Sequence, residues 1–188
     1  VACLVGSEMC IRDSVIAMLH VFNSSAKGKI DTVKKPKYLL SPKTNLYYIA
    51  SFETMKKSII TKLLTYAGAV LVQRSWRESG VDLNREIRVE DPNNIRLALK
   101  DGWVITFPRG TTDNSKPVRK GTAHIIKENN PIVIPVKISG FNEVFQRNGL
   151  KVINTKLPFS IEICEPISDD VYSKSIDDIT LELEKIID

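Results

Sequence analysis

Short runs of β-branched and aromatic residues recur along the chain, and between them apolar residues return every three or four positions. "LYYIA" (46–50), "AVLVQ" (69–73), "WVITF" (103–107), "PIVIPVKI" (131–138) and "FSIEICE" (159–165) have the content and length of strands. "FETMKKSIITKLLTYAG" puts Met55, Ile59, Ile60, Leu63, Leu64 and Ala67 at helical spacing and stops at Gly68. In "DPNNIRLALKDG" Asp91 can cap a helix, Pro92 suits its first position and Gly102 can close it. "VIAMLHVF" (15–22) reads as a short apolar helix, "RKGTAHIIKEN" (119–129) as another, and "SIDDITLELEKIID" (175–188) as an amphipathic one packed through Ile176, Ile179, Leu183, Ile186 and Ile187. The Lys-, Ser- and Pro-rich stretch at 23–45 reads as a surface excursion, and "RSWRESGVDLNREIRVED" (74–91) as polar and irregular. Strands alternating with helices predict the α/β class: a single domain with a mixed, mostly parallel sheet flanked by helices.

Composition agrees with one domain. The 188 residues are 43% hydrophobic and 26% charged, enough for one core and too short for two ordinary domains. The net charge of +5 and pI near 9.1 favour an anionic partner without naming it. No apolar run approaches the ~18 residues that span a bilayer, so the expected location is cytoplasmic. Cys3, Cys10 and Cys164 have neither metal-ligand spacing nor a disulfide framework, and no metal is expected.

The first fourteen residues break the pattern. "CLVGSEMCIRDS" (3–14) has no clear periodicity and resembles one reading frame of a transposase adapter used to build sequencing libraries, unbroken from Cys3 to Asp13. Residues 1–14 are therefore read as a non-native, adapter-derived leader, and residues 15–188 as an N-terminally truncated domain. Such a leader should touch the core little, because nothing selected it to fit. Without Glu8, Arg12 and Asp13 the charge moves from +5 to +6, one cation and two carboxylates being removed.

The densest chemistry follows "WVITF". In open α/β sheets ligands sit outside the carboxyl ends of strands, where loops turn backbone N–H groups toward an anion. Arg109 to Thr112 should lie on such a rim: Gly110 lets the backbone approach, the Thr111 and Thr112 hydroxyls can donate, and Arg109 and Lys120 can bind phosphate oxygens. Arg74 leaves "AVLVQ" in the same way. A G-x-x-x-x-G-K-[ST] phosphate loop is absent from the sequence.

"GAVLVQR" (68–74), "FPRGTT" (107–112) and "VIPV" (133–136), in this order, resemble the second, third and fourth sequence blocks of the glycerolphosphate and lysophosphatidic-acid acyltransferase family. The resemblance covers roughly residues 15–165, and its third block is the most specific. It implies a glycerolphosphate-acyltransferase-like fold and a phosphate site for the acceptor built from the second and third blocks, with Arg74, Gly110 and Thr111 at matching positions. Pro135, in the fourth block, is implied on the acyl-donor side. Gln73 stands where the family has Asp, and Arg109 where it has Glu; the second change reverses a charge and leaves the acceptor headgroup open.

The implied activity is transfer of a fatty acyl group from coenzyme A or acyl carrier protein to the hydroxyl of lysophosphatidate or a related lyso-lipid, in phospholipid biosynthesis. The acyl thioester is a co-substrate, and no further cofactor is implied. A lyso-lipid acceptor implies a peripheral position on the inner membrane face, and Lys27, Lys29, Lys34, Lys35 and Lys37 could favour an anionic surface. The family's first block, His-x4-Asp, supplies a general base and the carboxylate that orients it. His20 is followed five residues on by Ser25, and His124 by Asn129, so neither fits. The break is read as falling at or within that block, with its His expected upstream of Val15. The chain itself is then expected to be inactive. The alternative is a non-catalytic module that binds phosphorylated ligands or anionic lipid through Arg74, Arg109, Arg119 and Lys120. Nucleic acid is not expected as a partner, because Trp76, Trp103 and the tyrosines are not interleaved with a basic stripe.

Overall fold

Side chains that alternate along the strands go to two different cores. The computed structural model describes residues 2–6, 11–29, 45–55, 59–73, 77–78, 81–82, 90–111, 115–140 and 160–187. Its strands are β1 (Ala2–Gly6), β2 (Leu46–Ser51), β3 (Ala69–Val72), β4 (Arg77–Glu78), β5 (Val81–Asp82), β6 (Trp103–Thr106), β7 (Ile132–Ser139) and β8 (Ser160–Ile163). Its helices are α1 (Ile11–Ala26), α2 (Phe52–Met55), α3 (Ile59–Thr65), α4 (Glu90–Asp101), α5 (Lys120–Asn129) and α6 (Ile176–Ile187), with a 3-10 turn at Asp169–Ser173.

Six strands form one sheet in the order β3-β2-β6-β1-β7-β8. All neighbours are parallel except β7 and β8. In β2, Leu46, Tyr48 and Ala50 are buried on one face with Val15 and Met18 of α1, Met55 and Leu64. Tyr47 and Ile49, on the other face, pack against the core of Ile95 and Leu99 of α4, Ile126 of α5, and Ile179 and Leu183 of α6. Helices thus cover both faces, the condition under which a mostly parallel sheet is stable. The predicted class is what is found: one α/β domain with a mixed, mostly parallel sheet flanked by helices.

Several local features refine the sequence reading. The stretch expected to be irregular contains an antiparallel pair, Arg77↔Asp82 and Glu78↔Val81. The tail helix buries Ile179, Leu183 and Ile187, each four residues after the last. Ser175 opens it, its Oγ accepting from the N–H of Asp178. Pro135 lies inside β7, where a proline lacks a ladder donor. Its carbonyl accepts from the N–H of Cys164 at 3.0 Å. In an extended strand a residue's N–H and C=O point to the same side, so the missing donor faces the β8 edge, and the parallel ladder to β1 is spared.

Residues 2–6 depart most from expectation. Instead of lying apart from the core, β1 runs between β6 and β7, with Cys3 opposite both Val104 and Val133 and Leu4 opposite both Ile105 and Ile134. The reason is physical: "ACLVG" is uncharged, mostly apolar and of strand length, and it completes two ladders of N–H and C=O groups. Helix α1 also starts at Ile11, upstream of Val15, and continues past Phe22 to Ala26. It closes through Gly28 at φ +67°, with the N–H of Lys29 bonded to the carbonyl of Ser24 at 3.0 Å.

Candidate functional site

Parallel strands deliver their carboxyl ends to one edge of the sheet. Ser51, Val72 and Thr106 close β2, β3 and β6 there, and β2 alone separates β3 from β6. Two strand spacings, about 10 Å, therefore lie between the exits of the two segments singled out in the sequence.

The exit from β6 is folded back on itself. The N–H of Gly110 bonds the carbonyl of Phe107 at 3.0 Å, closing a turn, and Gly110 takes φ +61°. That conformation costs a side-chain-bearing residue about 1 kcal/mol or more, so glycine is suited to the position. Arg119, the residue that caps α5, donates its N–H to the carbonyl of Pro108 at 3.0 Å. This brings the start of α5 beside the turn. Beneath it, the hydroxyls of Thr106 and Thr122 meet at 2.9 Å in a buried pair that joins the end of β6 to the first turn of α5.

Arg109 is only 5% exposed, and its Nε donates to the carbonyl of Lys116 at 3.0 Å. The bond ties Arg109 to the segment that leads into α5. Thr111 is half-buried, and Lys120 is exposed at the start of α5. The ammonium of Lys120 pairs with Asp177 of α6 at 2.5 Å, both side chains being largely exposed. A solvated pair of this kind contributes little to stability and can exchange partners. Arg74 and Thr112 lie outside the described residues, as do Lys34, Lys35 and Lys37. Pro135 is buried within β7 and not at its carboxyl end.

The exit from β3 has a tie that sequence reasoning missed. Asp91 is 8% exposed, and its Oδ2 accepts the N–H of Gln73 at 2.8 Å. The Asp-Pro pair predicts a cap at this residue. It lies instead in the first turn of α4, with its carboxylate turned to the end of β3. No local signal could have paired residues 18 apart across a crossover.

Neither histidine meets an aspartate in a catalytic geometry among the described contacts. His124 is exposed on α5 with Nδ1 3.7 Å from Glu128, and His20 is half-buried on α1. One cleft, about 610 Å³, lies at the opposite end of the strands between β3 and α4, lined by Tyr47, Gly68, Leu97 and Asp101. There the Tyr47 hydroxyl donates to Asp101 at 2.5 Å, and that bond raises its pKa. A second, about 460 Å³, is lined by Leu99, Trp103, Ile132 and Pro166. Among the described residues no group of three or more His, Cys, Asp or Glu could hold a metal, and no helix is long and apolar enough to cross a membrane. The chain matches no protein-family model and no curated protein.

Proposed function

We propose that the native domain is an acyltransferase of the glycerolphosphate and lysophosphatidic-acid type, with the corresponding fold. It moves a fatty acyl group from an acyl thioester of coenzyme A or acyl carrier protein to the hydroxyl of lysophosphatidate or a related lyso-lipid. The observation that carries this reading is that the exits of β3 and β6, which lead into Arg74 and into Arg109–Thr111, share one rim across a single intervening strand. A phosphate there would meet the Thr111 hydroxyl and nearby cationic side chains, a donor set suited to an oxyanion.

In the reaction the acceptor oxygen gives its proton to a general base and attacks the thioester carbonyl. The C–S bond breaks, and the thiol leaves with a proton. The base and its carboxylate partner are assigned to a His-x4-Asp in the native sequence that the adapter-like segment replaces. The residues of this chain bind and orient the acceptor, and the chain as it stands turns over negligibly, since a positioned general base contributes roughly 10²–10⁴ in rate.

The test is calorimetric titration of the chain and its Arg74→Ala variant with a short-chain lysophosphatidate. Loss of charge-assisted bonds should weaken binding by about 1.5–3 kcal/mol. Equal affinities would remove the phosphate role of Arg74.

A further inference from the structure

We infer that the cleft between β3 and α4 binds a small organic cation, an ammonium group carried on an apolar body, and that Asp101 receives the ammonium. This site is independent of the phosphate rim proposed above.

One wall is a face of α4. Asn94, Leu97, Ala98 and Asp101 line the cleft at positions i, i+3, i+4 and i+7, the spacing that brings side chains to one side of a helix. Two turns separate the first from the last, about 10 Å along the axis. Between these polar ends Leu97 is 61% exposed, a large aliphatic side chain left to water on a helix whose Ile95 and Leu99 enter the core. Residues 68–71 form the opposite wall as β3 begins, and Tyr47 completes the lining. The cleft's volume, about 610 Å³, falls within the ~300–1,000 Å³ of small-molecule sites.

The charge of the occupant follows from Asp101. Its Oδ2 accepts from the Tyr47 hydroxyl at 2.5 Å and from Nδ2 of Asn45 at 2.9 Å, and these two bonds orient the carboxylate. Among the described residues no cation pairs with it, and Oδ1 accepts no bond. Of the cations closest to it on α4, Arg96 bonds Asn93 at 3.1 Å and Lys100 lines the second cleft. Helix α4 ends at Asp101, so the negative end of its dipole adds to the carboxylate. The Tyr47 hydroxyl has given its proton to Asp101 and offers a ligand only lone pairs. An anion would be repelled here, and an apolar molecule without a donor would cover the Asp101 charge and leave it without a partner. An ammonium supplies that partner while its apolar body covers Leu97.

The experiment titrates phenylbutylamine into the isotopically labelled full chain at neutral pH and follows amide chemical shifts, with phenylbutanol and phenylbutyrate as controls. The chain's net charge of +5 favours the anion in general, so a preference for the amine reports a local carboxylate. The amine should shift the amides of residues 68–71 and 94–101 and bind at least about tenfold more tightly than the alcohol, with no effect of the anion there. Asp101→Asn keeps an acceptor for Tyr47 and Asn45 but removes the charge, and should weaken amine binding about tenfold, to the level of the alcohol. Leu97→Lys puts a good helix former at an exposed position, and its own ammonium should exclude the probe. Far-ultraviolet circular dichroism checks that both variants fold; if Asp101→Asn does not, Leu97→Lys decides.

Amine shifts confined to other surfaces, equal affinities for amine and alcohol, or unchanged amine binding in either folded variant would overturn the inference. None of these results bears on the proposed acyl transfer, which the lysophosphatidate titration tests separately.

Discussion

Replacing Leu4 by proline tests whether the central place of β1 carries stability. Leu4 lies opposite Ile105 on one side and Ile134 on the other, in a strand with a ladder on both edges. Proline removes one N–H, and with it a net contribution of about 0.5–1.5 kcal/mol, and leaves a carbonyl in the sheet without its donor, at about 1–3 kcal/mol more. The two terms total about 1.5–4.5 kcal/mol, before any steric cost of the ring, against a whole-domain stability of about 5–15 kcal/mol. For a chain of this size each kcal/mol moves the melting temperature by about 2–4 °C, so the midpoint should fall by about 3–18 °C. Thermal unfolding followed by far-ultraviolet circular dichroism reads the shift, with urea unfolding followed by tryptophan fluorescence as a second probe. Leu4→Val keeps the N–H and a strand-forming side chain and should stay within about 1 kcal/mol of the unaltered chain. A Leu4→Pro protein with an unchanged melting temperature and urea midpoint would show that the sheet does not depend on this strand.

Other outcomes follow from single contacts. A Cβ on Gly102 would collide with the carbonyl oxygen of Asn45, which itself accepts the N–H of Trp103. Gly102→Ala should therefore cost about 2–4 kcal/mol in urea unfolding. Gly121→Ala, with nothing within 4 Å of the added atom, should instead gain about 0.5–1 kcal/mol of helix stability. Lys174 bonds Asp170 at 2.7 Å and Glu182 at 2.8 Å, tying the 3-10 turn to α6. Its partners raise the pKa of Lys174 above 10.5, and the hydrogen bond from Lys174 lowers that of Asp170 below 3.8. The Asp170 contribution is present above its unfolded pKa and is lost as pH falls through the lower folded one. The Lys174 contribution is present below its unfolded pKa and is lost as pH rises through the higher folded one. Lys174→Met should flatten both limbs of the stability profile, and limbs of unchanged slope would refute the tie. Sequencing the contiguous native gene should reveal a His-x4-Asp whose Asp falls just before Val15, and a different register there would withdraw the catalytic assignment.

What could be read from the sequence was what local pattern determines. The runs at 46–50, 69–73, 103–107 and 131–138 became β2, β3, β6 and β7, because apolar alternation and β-branched content are properties of the run itself. The turn at Gly110 was legible for the same reason, since the need for φ +61° is local. The contacts that fix the rim were not. Arg109 reads as an outward cation, but its Nε turns inward to Lys116. Asp91 reads as a cap, but the partner of its carboxylate comes from the preceding strand. Each of these polar groups had several possible partners, and the choice was made by tertiary packing.

The position of β1 shows how little a parallel sheet asks of a strand in its interior. The ladders to β6 and β7 run from backbone to backbone, in a register from Ala2 to Gly6 that any extended chain without proline could adopt. What the sheet excludes is charge and bulk at the faces, where Val104 and Ile105 on β6 and Val133 and Val136 on β7 are all nearly inaccessible. "ACLVG" satisfies that exclusion by composition alone. Resemblance to an adapter and a place in the sheet are therefore compatible, because foldability here tests apolarity and length, while a general base or a phosphate ligand has to be one particular residue. A segment of suitable apolarity and length can complete the sheet whatever chemistry it carries.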